Sequence, residues 1–288
     1  MFFDTIKTGI IKSNLIAMLA GLTIALYVFD LSFVDNIVNI ILALVGSALI
    51  IGSAGAFNNL YDRDIDAIME RTKTRPTVTG QVDTKAGLII GILMSVIGAI
   101  LLYIASPAAA FFGLLGLFLY VMPYTMWTKR RTIYNTEVGS LSGAVPPLIG
   151  WAAISQDFAH FEIWALFITM VLWQMPHFYG IAIRRFDEYK AAGVPMLPVV
   201  KGIRRTYIQT NVYLVLLVLS SVFFWTLSPW VALVAFVASL AWLIYSVVSF
   251  DKENTKKWSH HMFIFSINHI TVIYLFIIAY TLIALIFK

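Results

Sequence analysis

The sequence contains no cysteine, and only 12% of its 288 residues are charged. Without cysteine, disulfides, thiolate nucleophiles and cysteine-ligated metal or haem centres are excluded. A soluble globular chain carries about 25% charged residues, whereas 60% of this chain is hydrophobic and its mean hydropathy is +0.86. The short alternating segments typical of a membrane β-barrel are also lacking. The composition therefore predicts an integral membrane protein built from helices.

The hydrophobic residues fall into nine blocks, each close to the roughly 20 residues that a helix needs to cross a bilayer. No segment between them resembles a soluble domain or a flexible linker. The sequence therefore predicts an all-α, polytopic membrane protein in which residues 1–288 form a single domain of nine transmembrane helices. The blocks cover residues 13–29, 37–60, 86–105, 108–127, 138–154, 163–183, 207–227, 230–250 and 262–287.

The basic residues are distributed unequally between the two sides that nine spans would create. Nineteen of the 20 lysines and arginines precede the first block or lie in the loops after blocks two, four, six and eight. Because cytoplasmic loops are enriched in lysine and arginine, the N-terminus is predicted to be cytoplasmic. The same asymmetry accounts for the pI near 9.3 without any nucleic-acid partner. It favours a multi-pass protein of the cell membrane, embedded in the lipid bilayer.

A polar segment, NNLYDRDIDAIMERTKTRP at residues 58–76, follows the second block. On a helix, Asn58, Asp62 and Asp66 lie within about 80° of arc, whereas Asp64 points away from Asp62. One amide and two carboxylates on a single face are hard oxygen ligands, which suit Mg²⁺ that is shared with substrate phosphates. The spacing predicts a magnesium site at the membrane boundary.

Three bases, Arg71, Lys73 and Arg75, follow these acids and suit phosphate oxygens. The alternative is a solvated helix end, where acids and bases form pairs four residues apart. The regular spacing, followed by bases and a turn that ends in proline, favours the binding site.

Three segments resemble one family of membrane enzymes. The segment at residues 58–76 resembles the first aspartate-rich motif of the UbiA superfamily of intramembrane prenyltransferases. The segments RRTIYNTEVGSLSGAVPPLIGW (residues 130–151) and WQMPHFYGIAIRRFDEYKAAGVPMLPVVKG (residues 173–202) resemble its haem-farnesylating branch. The resemblance implies a UbiA-like helical bundle, Mg²⁺ as cofactor, farnesyl diphosphate and haem b as substrates, and a downstream haem-modifying membrane enzyme as a partner.

The resemblance also implies roles for individual residues. Asn58, Asp62, Asp66 and Glu188 are the expected catalytic residues, and these four together with Asp187 are the expected metal ligands. The superfamily's second motif has two aspartates four residues apart, whereas here Asp187 and Glu188 are adjacent and point about 100° apart on a helix. Either of them is a candidate for a second metal, with Glu188 favoured. The candidate diphosphate ligands are Arg71, Lys73, Arg75, Lys129 or Arg130, and Arg185.

His177 follows Pro176 inside the sixth block, where an ionisable residue indicates function. Its imidazole is a candidate ligand of haem iron, and the alternative is a hydrogen bond within the bundle. Two other functions stay open. One is a UbiA-type enzyme that prenylates a quinone precursor or another ring. The other is an ion-coupled transporter, although transporters usually place such carboxylates near the bilayer midplane rather than at helix ends.

Overall fold

The computed structural model describes residues 5–287, and within this range the chain is α-helical without strands. The first half contains α1 (Thr8–Val28), α2 (Ile37–Tyr61), α3 (Arg63–Ile68), α4 (Thr84–Ala105), α5 (Pro107–Leu119), α6 (Asn135–Gly143) and α7 (Pro146–Ala152). The second half contains α8 (Phe161–Arg184), α9 (Phe186–Ala191), α10 (Leu197–Ser220), α11 (Pro229–Val248) and α12 (Thr255–Ile286).

Eight helices of the described chain are long and apolar enough to cross a membrane. They confirm the all-α, multi-pass prediction and match eight of the nine predicted blocks. The fifth block, residues 138–154, differs because it is broken into the nine residues of α6 and the seven of α7. Pro146 and Pro147 open α7, and prolines cannot donate the backbone hydrogen bonds that would continue α6. The count of nine transmembrane helices is therefore not confirmed, and the cytoplasmic N-terminus stays a prediction.

The broken segment lies at the centre of the bundle. Every residue of α7 is buried, and α7 packs tightly against α1. A Cβ added to Gly150 would overlap the carbonyl oxygen of Met18, and one added to Gly21 would overlap that of Pro147. Glycine is required at both positions because the two backbones are in direct contact.

Two serine–proline pairs begin long helices. Ser106 precedes Pro107 at the start of α5, and its hydroxyl accepts a hydrogen bond from the backbone of Ala108 at 3.2 Å. Ser228 precedes Pro229 at the start of α11 and caps that helix in the same way. Serine supplies the N-cap acceptor, and proline at the first helical position lacks only an N–H that would have no partner in the helix.

The polar connections after α2 and α8 pack against each other. Ile65 and Met69 from the first connection form a buried cluster with Val194 and Met196 from the second, and with Ala182 of α8. Gly193, with a φ of 67°, makes the turn between α9 and this cluster, a conformation that glycine adopts without steric cost. The two segments that were predicted to carry the site are therefore adjacent in space.

Candidate active site

The predicted shared face of Asn58, Asp62 and Asp66 is present although the helix is interrupted within it. α2 ends at Tyr61 and α3 begins at Arg63, yet the backbone N–H of Asp62 donates to Asn58 at 2.9 Å, and that of Asp66 donates to Asp62 at 2.8 Å. Both bonds keep the four-residue spacing. Asn58, Asp62 and Asp66 are buried, with exposed fractions of 2%, 0% and 4%, whereas the side chain of Asp64 is 66% exposed. The predicted orientation of these residues is confirmed.

Asp62 is the most completely buried carboxylate of this segment. Its Oδ2 accepts hydrogen bonds from the Asn58 amide at 2.7 Å and from the Lys129 ammonium. Its Oδ1 is buried and accepts no hydrogen bond, and an Arg130 nitrogen lies 3.6 Å away. An unsatisfied buried carboxylate oxygen is costly, so this atom is available for a further ligand.

Lys129 reaches Asp62 because the end of the fourth span is wound irregularly. Residues Tyr120–Trp127 form a π-helix with Pro123 inside it, and Thr128–Arg130 form a 3₁₀ turn. Within the π-helix, the Thr125 hydroxyl donates to the carbonyl oxygen of Tyr120 at 2.8 Å and accepts from the Asn58 amide at 3.0 Å. π-Helical turns are rare and concentrate at functional sites. This one joins the fourth span to the acidic face.

Asp66 has its own, partly buried cation. Its carboxylate forms an ion pair with Arg75, whose side chain is 18% exposed, and its backbone carbonyl accepts from the Thr72 hydroxyl at 3.0 Å. The loop after α3 thus folds back so that Arg75 contacts an acid of α3 itself. Of the three predicted loop bases, Arg75 is the one that lies within this pair.

The other two loop bases lie farther out. Lys73 pairs with Glu70 at 2.7 Å, and both side chains are at least half exposed. Arg71 is exposed. The alternative of a solvated charge pair therefore describes Lys73, and diphosphate binding by Lys73 and Arg71 stays a prediction.

Arg130 is bound at the rim rather than among the buried acids. Both of its terminal nitrogens donate to the Asp64 carboxylate at 2.7 Å, and one also donates to the Tyr61 carbonyl oxygen at 3.0 Å. The guanidinium stacks 4.8 Å above the Tyr61 ring. Its hydrogen bonds lower the pKa of Asp64 from its ordinary value to about 2. Of the two alternatives after the fourth span, Lys129 is the one that reaches Asp62 directly.

A fourth cation arrives from the N-terminal segment. The Lys7 ammonium donates to Oδ1 of Asn58. Burial and the charges of Arg75 and Lys129 lower the pKa of Lys7, while Asp62 and Asp66 act in the opposite direction. The sequence identifies Lys7 only as one of the basic residues that set membrane orientation, because nothing in the local sequence brings it to residue 58.

The second acidic segment is built differently. Asp187 is 75% exposed and pairs with Lys256 of α12 at 2.8 Å, and this hydrogen bond lowers its pKa. Glu188 pairs with Arg185 at 2.6 Å, and its other carboxylate oxygen is buried without a hydrogen-bond partner. The five predicted metal ligands do not form one cluster, because no group of three or more acids, histidines or cysteines in residues 5–287 could hold a metal ion. Asp187 faces solvent, and a second metal stays a prediction.

His177 has a partner within the bundle. Its Nδ1 lies 2.7 Å from the Ser266 hydroxyl of α12, and its ring stacks on Trp173 at 4.7 Å between centroids. The interhelical alternative is therefore observed for one ring nitrogen. Ligation of haem iron by the other nitrogen stays a prediction.

The residues fit a divalent cation that is shared with a phosphorylated substrate. Two buried carboxylates and one amide oxygen are too few to fill the six positions around Mg²⁺. Mg²⁺ typically takes one or two carboxylates and completes its shell with waters and phosphate oxygens. The orphan Oδ1 of Asp62 provides an acceptor, and Lys129, Arg75 and Lys7 provide donors for an anion.

Buried acids and partly buried cations lie together where the N-terminal segment, the α2–α3 region and the end of the fourth span meet. This arrangement suits an intramembrane prenyltransferase. Residues 14–268 match the model of the UbiA prenyltransferase family, and the chain belongs to this family. It is 61% identical to a protein of Shouchella clausii named protoheme IX farnesyltransferase, over 99% of this chain and 91% of that one.

Solved structures share the fold. A digeranylgeranylglyceryl phosphate synthase matches with a TM-score of 0.77 at 15% identity, covering 97% of both chains. A UbiA homologue from Archaeoglobus fulgidus, bound to DMAPP and Mg²⁺, matches with a TM-score of 0.71 at 12% identity, covering 94% of this chain and 99% of that one. These likenesses confirm the UbiA-like bundle.

Proposed function

We propose that this protein transfers the farnesyl group of farnesyl diphosphate to a vinyl group of haem b and so produces haem O. The observation that carries the proposal is the 61% identity, over nearly the whole chain, to a protein named protoheme IX farnesyltransferase. The acceptor rests on that likeness, whereas the diphosphate chemistry also has support from the buried acids and cations of the site.

Mg²⁺ is the proposed cofactor, with Asp62, Asp66 and Asn58 as its protein ligands. When bound, it would supply Lewis-acid stabilisation of charge on the diphosphate oxygens. Oδ1 of Asp62, which is buried and accepts no hydrogen bond, supports this assignment, as does the Archaeoglobus homologue bound to DMAPP and Mg²⁺. Glu188, whose Oε2 has no partner, is the candidate for further ligation, ahead of the exposed Asp187.

The cations of the site would stabilise the leaving group. Lys129 and Arg75 are already held at the two carboxylates, so their donors need little reorganisation to bind diphosphate oxygens. As the bond between C1 of the farnesyl group and the diphosphate oxygen breaks, negative charge grows on that oxygen. The terminal vinyl carbon of haem then bonds to C1, and water adds to the resulting porphyrin-side cation with loss of a proton. Burial among apolar helices would protect the allylic cation from earlier capture by water.

His177 is the proposed contact with haem. Its ring is fixed by Ser266 and Trp173, which would orient the remaining nitrogen. A substitution to alanine should change the Soret band of bound haem and weaken haem binding without affecting diphosphate binding. An unchanged spectrum with reduced activity would make His177 an orienting residue instead.

The proposal also includes a location. The site would face the cytoplasm of the cell, since the basic loops that carry it follow the positive-inside distribution. A downstream haem-modifying membrane enzyme would accept the product, because a farnesylated haem partitions into the bilayer. Labelling of single cysteines introduced at exposed positions between the spans, such as Lys73 and Asp187, would test the orientation, since the chain has no native cysteine.

The decisive experiment uses purified full-length protein in lipid nanodiscs with haem b, farnesyl diphosphate and Mg²⁺. Mass spectrometry of extracted haem should show the addition of one farnesyl group and one hydroxyl group, and EDTA should abolish this product. If diphosphate is released only when a quinone precursor replaces haem, the acceptor is wrong. If no diphosphate is released with any acceptor, while an ion gradient moves solute across proteoliposomes, the protein is a transporter.

A further inference from the structure

The N-terminal segment before α1 is held against α2 beside the face that carries the acidic site. The side-chain amide of Asn59 donates to the backbone carbonyl oxygen of Thr5 at 2.8 Å. Ile6 is buried in a cluster with Ile11 of α1 and Met94 of α4. These two anchors hold residues 5–7 in one place.

A glycine on α2 makes room for this segment. A Cβ added to Gly55 would lie 2.9 Å from the carbonyl oxygen of Ile6, closer than real Cβ atoms come to other atoms. Gly55 stands one helical turn before Asn58 and Asn59, so the close approach occurs beside the acidic face. The backbone of Lys7 is left-handed, with φ and ψ both 56°. Such a conformation is uncommon and costly for a residue with a side chain, and it clusters at functional sites.

The result of this geometry is that the Lys7 side chain points into the site. Its ammonium donates to Asn58 Oδ1 and lies near the charges of Arg75 and Lys129. A lysine that served only to orient the protein in the membrane would gain nothing from this position. Lys12, five residues on, is exposed to solvent and would serve orientation equally well.

The balance of charges in the site indicates a role for Lys7. Lys7, Lys129 and Arg75 face Asp62 and Asp66, which leaves one net positive charge, while Arg130 is neutralised separately by Asp64. A divalent cation would raise the total to three. A prenyl diphosphate carries about three negative charges when fully ionised. Without Lys7, the loaded site would be left with an uncompensated negative charge in a poorly solvated place, which is unfavourable.

We propose that Lys7 is a diphosphate ligand, delivered to the site by the N-terminal segment. In the loaded site its ammonium would donate to a diphosphate oxygen, and Asn58 Oδ1 would become free for the metal. This inference rests on the proposed function for its choice of ligand, but it concerns the diphosphate alone and is independent of the acceptor.

The test measures the affinity of inorganic pyrophosphate for purified full-length protein in nanodiscs with Mg²⁺ present. Lys7→Ala should weaken binding about 10- to 100-fold, the expected loss for a hydrogen bond between charged groups. The matched control is Lys12→Ala, which removes the same charge from an exposed site and should bind as wild type. In turnover, KM for farnesyl diphosphate should rise in Lys7→Ala while haem affinity stays unchanged.

Two conservative variants separate charge from positioning. Lys7→Arg keeps the charge and should retain most of the affinity, whereas Lys7→Gln keeps a donor for Asn58 but should bind as weakly as Lys7→Ala. If glutamine restores the affinity and arginine does not, Lys7 only orients Asn58 and the proposal is wrong.

A backbone variant tests delivery by the segment with Lys7 left intact. Gly55→Ala should displace Ile6 and reproduce the loss of pyrophosphate affinity even if Lys7→Ala fails to fold. Gly9→Ala is its control, since a Cβ there would meet no atom within 4 Å. If both Lys7→Ala and Gly55→Ala bind pyrophosphate with wild-type affinity, the role proposed for Lys7 is wrong. The proposal of farnesyl transfer would be unaffected by that result. Pyrophosphate binding that depends on Lys7 would stand even if haem proved to be the wrong acceptor.

Discussion

The two acidic segments of this protein contain the same kinds of residue and yet form different structures. In the first, Asp62 and Asp66 are buried, and their cations come from elsewhere: Lys129 from 67 positions away and Arg75 from nine. In the second, Glu188 pairs with Arg185 three positions earlier, and Asp187 pairs in solvent with Lys256, 69 positions away. Charged residues alone therefore do not make a site, and neither do partners from distant segments. Burial distinguishes the first segment, because it makes ion partners necessary and strengthens their interaction.

The largest expected effect is at Asp62. Asp62→Asn should lower farnesyl transfer at least about 100-fold, since it removes the charge that holds Lys129 and the proposed Mg²⁺. The substitution keeps the size of the side chain, so the protein should remain folded. Activity is measured as farnesylated haem by mass spectrometry, and folding by size exclusion in detergent.

Asp187→Asn is the matched control from the second segment. Its carboxylate is exposed and paired only at the surface, so activity should stay within about twofold of wild type. Equal losses in the two variants would mean that both segments hold metal and that their different burial has no functional meaning.

The next effect separates two bases of one loop. Arg75→Ala should weaken pyrophosphate binding about 10- to 100-fold because it removes a charged donor beside Asp66. Lys73→Ala should have little effect, because Lys73 pairs with Glu70 in solvent. Haem affinity should be unchanged in both. If haem affinity falls while pyrophosphate binding stays normal, the two substrates have been assigned to the wrong loops.

A smaller effect is expected at Glu188, the half-buried member of the second segment. Glu188→Gln should reduce activity several-fold, since it removes the charge that pairs with Arg185 and a buried carboxylate oxygen that has no hydrogen-bond partner. If this carboxylate holds a second metal, raising the Mg²⁺ concentration should restore part of the activity. A loss as large as that of Asp62→Asn would show that the second segment is equally essential.

Much of the first segment was predictable from its sequence. The four-residue spacing of Asn58, Asp62 and Asp66 determines a shared face wherever the backbone is helical, and the short break at Asp62 does not change that spacing. The outward direction of Asp64 follows from the same geometry. The proline pair that divides the predicted fifth span is also present in the sequence and indicates a helix break. The apolar run around it is nevertheless long enough to predict a single span.

The partners of this face could not be predicted from the sequence. Lys7 and Thr125 reach Asn58 from 51 and 67 positions away, through a left-handed residue and a π-helix that no periodicity indicates. The sequence does not distinguish Arg75 from Lys73, because both are bases of one loop and only two residues apart. Arg75 is partly buried and Lys73 is exposed because the loop folds back over Asp66.

The smallest effect is expected at Asp64, which shares a segment with Asp62 but lies outside the buried face. Its ion pair with Arg130 is largely exposed, so Asp64→Asn should cost less than about 1 kcal/mol of stability and little activity. The hydrogen bonds from Arg130 lower the folded-state pKa of this carboxyl to about 2. A carboxyl with a lowered pKa contributes stability above its unfolded pKa and loses it as the pH falls through the folded value.

The difference in melting temperature between wild type and Asp64→Asn should therefore be constant from pH 7 down to about pH 4 and should shrink only below that. Because the variant keeps the buried pair of Asp62 and Lys129, any difference in melting temperature comes from the Asp64 carboxylate alone. A difference that stays the same down to pH 2 would mean that the pKa of Asp64 is not lowered and that Arg130 does not bind it. Arg130 would then be free to pair with Asp62, 3.6 Å away, and would be part of the active site.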